Sequence, residues 1–245
     1  MHFAKQCFGA AGHVILSIVN TSLATGIVPE SWKLSIVRPI NKSAGALNDP
    51  SSFRPISIVQ CLEKIVECVV HQQLFTYFST NHLLSDTQHG FRPRHSTETA
   101  LLSVTDHALS AMDAGKIALL VPLDVSKGFD VVYHEKLLEK VVLYGVHTEW
   151  FASYFRDHHQ QVRLNTPGNG LQLSEKRPNP IGVYQGTALG PLMFSIFVND
   201  MSLFTYSDVL ITQYADDTQV LRPQSRTGYA SQPYGERPEG LVRMV

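Results

Sequence analysis

The feature that most restricts the fold is a pair of adjacent acids between two apolar runs, within residues 210–221. The flanking runs are rich in β-branched and aromatic residues, which favours strands. Asp tolerates turn conformations, so Asp216 and Asp217 predict the tip of a β-hairpin. Two like charges side by side repel, and a divalent cation is the natural partner that compensates them. For an isolated Asp-Asp pair, a solvated turn is the simpler interpretation.

The composition indicates a globular protein with one or two domains, since 44% of its 245 residues are hydrophobic and 17% are charged. A net charge of −1 means that any nucleic-acid surface must be local. No apolar run is long enough to span a bilayer, and the first residues do not predict a secretory signal. Cys7, Cys61 and Cys68 include no Cys-x-x-Cys pair, so we expect no disulfide framework, and we predict Cys61 and Cys68 to be buried thiols.

Helices and strands follow one another in an order that predicts an α+β fold. The predicted helices cover residues 12–25, 59–78, 99–112, 134–143, 148–158 and 191–201, and the predicted strands cover residues 34–40, 117–124, 161–165 and the two arms of the hairpin. Pro39 predicts a sheet edge or a strand end, because proline cannot donate a ladder hydrogen bond. Residues 222–245 contain Pro and Gly without an apolar period, which predicts a disordered tail.

Asp124 ends a strand that the sequence predicts to be buried, 92 residues before Asp216. If this strand end lies beside the hairpin tip, Asp124, Asp216 and Asp217 form a cluster of three carboxylates. Such a cluster can hold two divalent ions about 4 Å apart and support phosphoryl transfer. Arg92, on a loop before a helix, is a candidate ligand for a triphosphate. The alternatives are that Asp124 caps a helix and that Arg92 is a solvated charge.

Seven motifs, from about residue 10 to residue 221, occur together in one order. They are residues 29–33 (PESWK), 53–57 (FRPIS), 88–92 (QHGFR) with Ser96 and Thr97, 123–130 (LDVSKGFD), 185–191 (QGTALGP), 199–200 (ND) and 214–218 (YADDT). In these motifs the chain resembles the reverse transcriptases of non-long-terminal-repeat (LINE-type) retrotransposons, of the jockey-like or chicken-repeat-like kind. The resemblance implies an RNA-directed DNA polymerase that extends a DNA primer on an RNA template with dNTPs, using two Mg²⁺ ions, or Mn²⁺ in their place.

The resemblance also implies a right-hand polymerase fold with fingers and an antiparallel palm sheet. Fingers and an N-terminal extension would occupy residues 1–116, and the palm residues 117–221, with 146–183 partly an insertion on the fingers side. Residues 222–245 would be a disordered, non-homologous tail in place of the thumb. A chain truncated in this way would be weakly active or inactive, and the alternatives are a non-catalytic RNA-binding remnant and a decayed gene product.

Individual roles follow from the same resemblance. The implied metal ligands are Asp124 and Asp216, with Asp217 beside them and the backbone carbonyl of Val125, and the implied nucleotide-binding residues are Arg92, Phe129, Gln185 and Gly186. Phe129 would exclude a ribose 2′-hydroxyl, but as an aromatic residue it could equally belong to the core. Asp130 is more simply a helix cap than a further ligand. The chain departs from the family at Gly128, usually Ala, which would loosen Phe129, and at Tyr184, usually Pro, which would add a ring beside the nucleotide.

Overall fold

The computed structural model describes residues 2–42, 48–125, 127–166, 170–206 and 208–225. The helices are α1 (His2–Thr25), α2 (Cys61–Thr80), α3 (Thr97–Asp113), α4 (His134–Leu143), α5 (Glu149–Phe155) and α6 (Gly190–Phe197). The strands are β1 (Leu34–Asn41), β2 (Phe53–Ile58), β3 (Lys116–Asp124), β4 (His159–Thr166), β5 (Gly170–Leu173), β6 (Arg177–Pro178), β7 (Leu210–Tyr214) and β8 (Asp217–Ser225). The predicted α+β class is confirmed.

The chain divides into two units, each made of two separate segments. The first unit combines Met1–Asn81 with Phe129–Met193, and the second combines His82–Gly128 with Phe194–Val245. The sequence predicts that the fingers end at residue 116, but each unit contains residues from both sides of this position. The predicted division into fingers, palm and tail stays a prediction.

A mixed sheet in the first unit has the strand order β2-β1-β4-β5, and β6 also pairs with β4. Strand β1 is antiparallel to β2 from Ile36 to Asn41 and parallel to β4 from Leu34 to Val37. Pro39 lies beyond that parallel segment, opposite Pro55 of β2. The described strands therefore pair with β1 on only one side at Pro39, which agrees with the predicted sheet edge.

The core of the first unit is rich in aromatic side chains from α5. Trp150 stacks on Tyr154, and the Trp150 indole N–H donates to the Ser22 hydroxyl of α1 at 3.0 Å. Helix α2 contributes Val66, Val70 and other apolar residues at helical spacing. The same buried face of α2 also carries Glu63 and Glu67, which are 2% and 1% exposed.

A three-stranded antiparallel sheet in the second unit has the order β3-β8-β7, so that β8 lies in the middle. Helix α3 packs on this sheet. Ser96 caps α3, because its hydroxyl accepts the Thr99 N–H while the Thr99 hydroxyl accepts the Ser96 N–H.

Several predicted details are wrong. Strand β3 is half exposed rather than buried, since Leu120 is 46% exposed, as expected for a strand at a sheet edge. Strand β8 continues to Ser225 opposite β3, so residues 222–225 do not belong to a disordered tail, and residues 226–245 lie outside the described residues. Cys61 and Cys68 are exposed, because the polar residues Glu63 and Glu67 occupy the buried face of α2. In the described part of the chain, no helix has the length and apolar character required to cross a membrane.

Candidate active site

Asp124 and Asp217 lie directly opposite each other in the second unit. They form the last pair in the antiparallel register of β3 and β8, which begins at Lys116 and Ser225. Cα atoms of directly opposite residues in such a ladder are about 4.5–5.5 Å apart, and their side chains share one face of the sheet. The strand-end acid and the hairpin acids are therefore neighbours, as the sequence predicts.

Asp216 occupies a different position from Asp217. It lies in the two-residue turn with Ala215, whereas Asp217 is the first residue of β8. Neighbouring residues of an extended chain point in different directions, so the register by itself brings only Asp217 beside Asp124. Among the described residues, no group of three or more Asp, Glu, His or Cys side chains has an arrangement that could hold a metal ion. The predicted three-carboxylate cluster is thus not formed in this structure.

A backbone hydrogen bond joins Gly128 to Val125, the residue directly after Asp124. The Gly128 N–H donates to the Val125 carbonyl, the predicted metal ligand, at 3.0 Å. A carbonyl oxygen has a second lone pair, so this bond leaves one acceptor site. A methyl group at Gly128 would lie 3.3 Å from Asp216 Cβ and 3.2 Å from the Phe194 ring. The glycine that replaces the usual alanine therefore allows a close approach of Asp216, a packing role that the sequence does not predict.

Arg92 is half-buried in the second unit and binds backbone oxygens. Its Nη1 donates to the Ser85 carbonyl at 2.6 Å and to the Gln88 carbonyl at 3.3 Å. Its Nη2 lies 3.8 Å from the exposed carboxylate of Asp86. These contacts stabilise residues 85–88, so in this structure Arg92 is neither a solvated charge nor a free anion ligand.

The predicted nucleotide-binding residues Gln185 and Gly186 belong to the first unit and rest on strand β2. The Ser57 N–H donates to the Gln185 carbonyl at 2.7 Å. Gly186 has a φ of +94°, and a methyl group there would lie 2.8 Å from Ile56 Cγ2. Both the backbone conformation and the space therefore require glycine at this turn.

Phe129 and Asp130 of the first unit are half-buried, and they lie on the 3₁₀ turn Gly128–Val131. The Val183 N–H donates to the Phe129 carbonyl at 2.7 Å. Asp130 accepts a hydrogen bond from the Gln185 side chain at 3.1 Å, which orients that amide. Asp130 is therefore a partner of Gln185 rather than the predicted helix cap, because α4 begins after Tyr133.

Tyr184 is buried in the first unit, contrary to the prediction of a ring beside the nucleotide. It is 4% exposed and stacks on the imidazole of His158 at a centroid distance of 4.2 Å. Burial lowers the pKa of His158 to about 4 and raises the pKa of Tyr184 above its usual range. Both rings are thus neutral core groups at neutral pH.

Glu67 binds the segment that follows Gly186. The sequence does not predict this role. The Oε2 of Glu67 accepts the Ala188 N–H at 3.0 Å, and its Oε1 accepts the Tyr154 hydroxyl. Burial raises the pKa of Glu67, and burial together with the charge of Glu67 raises the pKa of Glu63 to about 8. The signal in the sequence was two acids, four residues apart, at buried positions of an apolar helical pattern.

A comparison of the whole chain with known proteins gives one family. Residues 40–229 match the family model of reverse transcriptase (RNA-dependent DNA polymerase). This chain belongs to the reverse transcriptase family. The match ends eight residues beyond Leu221, so the start of the predicted non-homologous tail belongs to the family region.

The similar proteins within this family include polymerases of insect mobile elements. The chain is 31% identical over 236 residues to the probable RNA-directed DNA polymerase from transposon BS of Drosophila melanogaster, covering 91% of this chain and 24% of that protein. It is 35% identical over 216 residues to the polymerase from the mobile element jockey of the same species, covering 83% and 23%. The predicted family, the reverse transcriptases of non-LTR retrotransposons, is confirmed. The chain spans about a quarter of the length of these relatives.

Solved structures of the same fold include telomerases. The chain superposes on the telomerase from Candida albicans with a TM-score of 0.53 at 13% identity, over 83% of this chain and 41% of that one. The apo telomerase from Candida tropicalis gives a TM-score of 0.53 at 14% identity, over 89% and 44%. At such low identity the likeness shows the polymerase fold and nothing finer.

Proposed function

We propose that this chain is the fingers and palm part of an RNA-directed DNA polymerase, which extends a DNA primer on an RNA template with dNTPs. The observation that carries the proposal is the pairing of Asp124 with Asp217 at the end of the β3–β8 ladder. Two carboxylates directly opposite each other repel, and a divalent cation with oxygen ligands compensates that repulsion. Membership of the reverse transcriptase family gives this arrangement its chemical meaning.

The proposed metals are two Mg²⁺ ions, which Mn²⁺ could replace. Carboxylate oxygens of Asp124, Asp216 and Asp217 and the Val125 carbonyl make an all-oxygen donor set, the kind that Mg²⁺ prefers. Asp216 would have to turn toward Asp124 to complete it, since the described acids are not yet grouped. When bound, such ions activate the primer 3′-hydroxyl and neutralise the leaving pyrophosphate.

The proposed nucleotide contacts are Phe129, Gln185 and Gly186. The Gln185 amide is already oriented by Asp130, and Gly186 is fixed against β2, which supports a preformed surface. The Arg92 Nη1 is bound to the Ser85 and Gln88 carbonyls, so a triphosphate would bind through the Nε and Nη2 donors, or after Nη1 exchanged a carbonyl for a phosphate oxygen. Arg92 is therefore the least supported of the proposed nucleotide ligands.

Primer extension on poly(rA)·oligo(dT) with Mg²⁺ or Mn²⁺ tests the proposal. We expect weak extension that Asp124→Asn and Asp217→Asn each reduce to background, because each removes a charged metal ligand. Asp106→Asn, on the exposed side of α3, is the matched control and should leave extension unchanged. RNA binding without extension in either metal, unaffected by Asp124→Asn, would overturn the polymerase proposal in favour of a non-catalytic RNA-binding role.

A further inference from the structure

Ala215, the residue before the two hairpin acids, has a left-handed backbone. Its φ is +57°, a region that is sterically unfavourable for a residue with a Cβ atom. Such a conformation persists only where the surrounding structure imposes it. The direction in which Asp216 and Asp217 leave the turn depends on this one residue.

A single buried side chain holds both backbone groups of Ala215. Gln88 is 1% exposed, and its Oε1 accepts the Ala215 N–H at 3.1 Å and the Gly90 N–H at 2.7 Å. Its Nε2 donates to the Ala215 carbonyl at 3.3 Å. An amide can both accept and donate, so one Gln side chain fixes the N–H and the C=O of the same residue.

The segment that carries Gln88 is itself fixed to the hairpin. The His89 N–H donates to the Gln213 carbonyl, and the Gln213 N–H donates to the Thr87 carbonyl, each at 2.7 Å. A methyl group at Gly90 would lie 2.3 Å from the Ala215 nitrogen, so the two backbones approach as closely as glycine permits. The Gln88 amide therefore has little freedom to move away from the turn.

We propose that Gln88 is a positioning residue for the acids of the hairpin, and this inference rests on the proposed function. This role requires no contact of Gln88 with the metal or the substrate. It holds Ala215 in the left-handed conformation, and Ala215 in turn sets where Asp216 and Asp217 lie relative to Asp124. Within the motif at residues 88–92, the residue that supports the metal site is therefore Gln88 rather than Arg92.

The variant that separates this role from simple core packing is Gln88→Glu. An ionised carboxylate keeps the shape and can still accept the N–H groups of Gly90 and Ala215, but it cannot donate to the Ala215 carbonyl and repels it. Because burial raises the pKa of a carboxyl and a protonated acid could donate as the amide does, binding is measured at a pH at which this acid is ionised. The matched control is Asn199→Asp, because Asn199 also bridges two backbone groups in the second unit, the Ser85 N–H and the Leu83 carbonyl, each at 2.7 Å. Both variants exchange a mostly buried amide for a carboxylate, and only one of them contacts the turn.

The measurement is Mn²⁺ binding to the full chain, followed by electron paramagnetic resonance of the free ion, with circular dichroism as the check of folding. We expect Gln88→Glu to weaken Mn²⁺ binding about tenfold and Asn199→Asp to change it less than twofold. If Asp217→Asn abolishes binding and Gln88→Glu leaves it unchanged, the positioning role is wrong. If Asp217→Asn leaves binding unchanged, the metal site of the proposed function is wrong instead.

Hydrogen exchange in the unmodified chain gives a test that needs no variant to fold. The N–H of a residue at a hairpin tip normally faces water, but the Ala215 N–H donates to a buried oxygen. We expect this proton to exchange as slowly as the ladder N–H groups of β8. Exchange at the rate of an exposed turn would overturn the inference.

Discussion

Two turns of this protein are each held by one buried polar side chain, and the two side chains differ in chemistry. In the first unit, the carboxylate of Glu67 accepts the Ala188 N–H of the segment that follows Gln185 and Gly186. In the second unit, the amide of Gln88 binds the N–H and the C=O of Ala215. Both side chains are 1% exposed.

The difference between carboxylate and amide matches the backbone groups that each turn has to pair. An ionised carboxylate only accepts, so Glu67 can take two donors, the Ala188 N–H and the Tyr154 hydroxyl, but cannot fix a carbonyl. An amide fixes both groups of one residue, which suits the left-handed Ala215. The carboxylate also carries a cost, because burial raises its pKa, whereas the amide does not titrate. We therefore expect only the first unit to show strong pH dependence from its buried support.

Both tryptophans of the chain, Trp32 and Trp150, are buried in the first unit. Tryptophan fluorescence therefore reports the unfolding of this unit, while the second unit contributes only tyrosines. The following three predictions use this signal, and they are ordered from the largest expected effect to the smallest.

Glu67→Ala should give the largest loss of stability. It leaves the Ala188 N–H and the Tyr154 hydroxyl buried without their acceptor, and each unpaired donor costs about 1–3 kcal/mol. Relief of carboxylate desolvation offsets part of this cost, so we expect a net decrease of about 3 kcal/mol in the free energy of unfolding by urea. Gln72→Ala, on the exposed face of the same helix, is the control and should change it by less than about 0.5 kcal/mol. Equal stability of Glu67→Ala and the unmodified chain would show that the turn does not need this acceptor.

The role of Glu67 also shows how far the sequence predicts this molecule. The helical period predicts α2 and its apolar face, and the strand patterns together with the family motifs predict the meeting of Asp124 and Asp217. The two supporting residues are not predicted, because a Glu or Gln in isolation is expected at the surface. For the same reason the sequence does not predict that the Arg92 guanidinium binds the Ser85 and Gln88 carbonyls. Sequence periodicity indicates which face of an element is buried, but not which polar partner arrives there from a distant segment.

Glu63→Gln should remove a pH dependence of the first unit. Burial raises the pKa of Glu63 from 4.5 to about 8, so the folded state binds its proton more tightly than the unfolded state. The resulting stability is fully present below pH 4.5 and is lost as the pH rises to about 8. Between pH 5.5 and 8.5 we expect the free energy of unfolding to fall by about 2 kcal/mol more in the unmodified chain than in Glu63→Gln, measured by urea unfolding.

The stability that His158 contributes depends on pH in the opposite direction, and this contribution cancels when the unmodified chain is compared with Glu63→Gln. The lowered pKa of His158, about 4, stabilises the fold above pH 6.5, and this contribution is lost as the pH falls toward 4. The histidine is present in both proteins, so the difference between them isolates Glu63. Parallel pH profiles for the two proteins would mean that Glu63 is not the titrating group.

Gly186→Ala tests whether the turn held by Glu67 also needs its glycine, as the Ala215 turn needs Gly90. The φ of +94° at Gly186 disfavours alanine, and the added methyl group would lie 2.8 Å from Ile56 Cγ2 and 3.1 Å from the Ser57 carbonyl. Gly170→Ala is the control in the same unit, because its φ is +67° but no atom of the described residues lies within 4 Å of the added methyl group. We expect the free energy of unfolding to fall by about 2 kcal/mol for Gly186→Ala and by about 1 kcal/mol for Gly170→Ala, measured by urea unfolding with tryptophan fluorescence. The difference between the two measures the contact with β2 alone, and equal losses would mean that the backbone angle, rather than the approach to Ile56 and Ser57, is what requires glycine at residue 186.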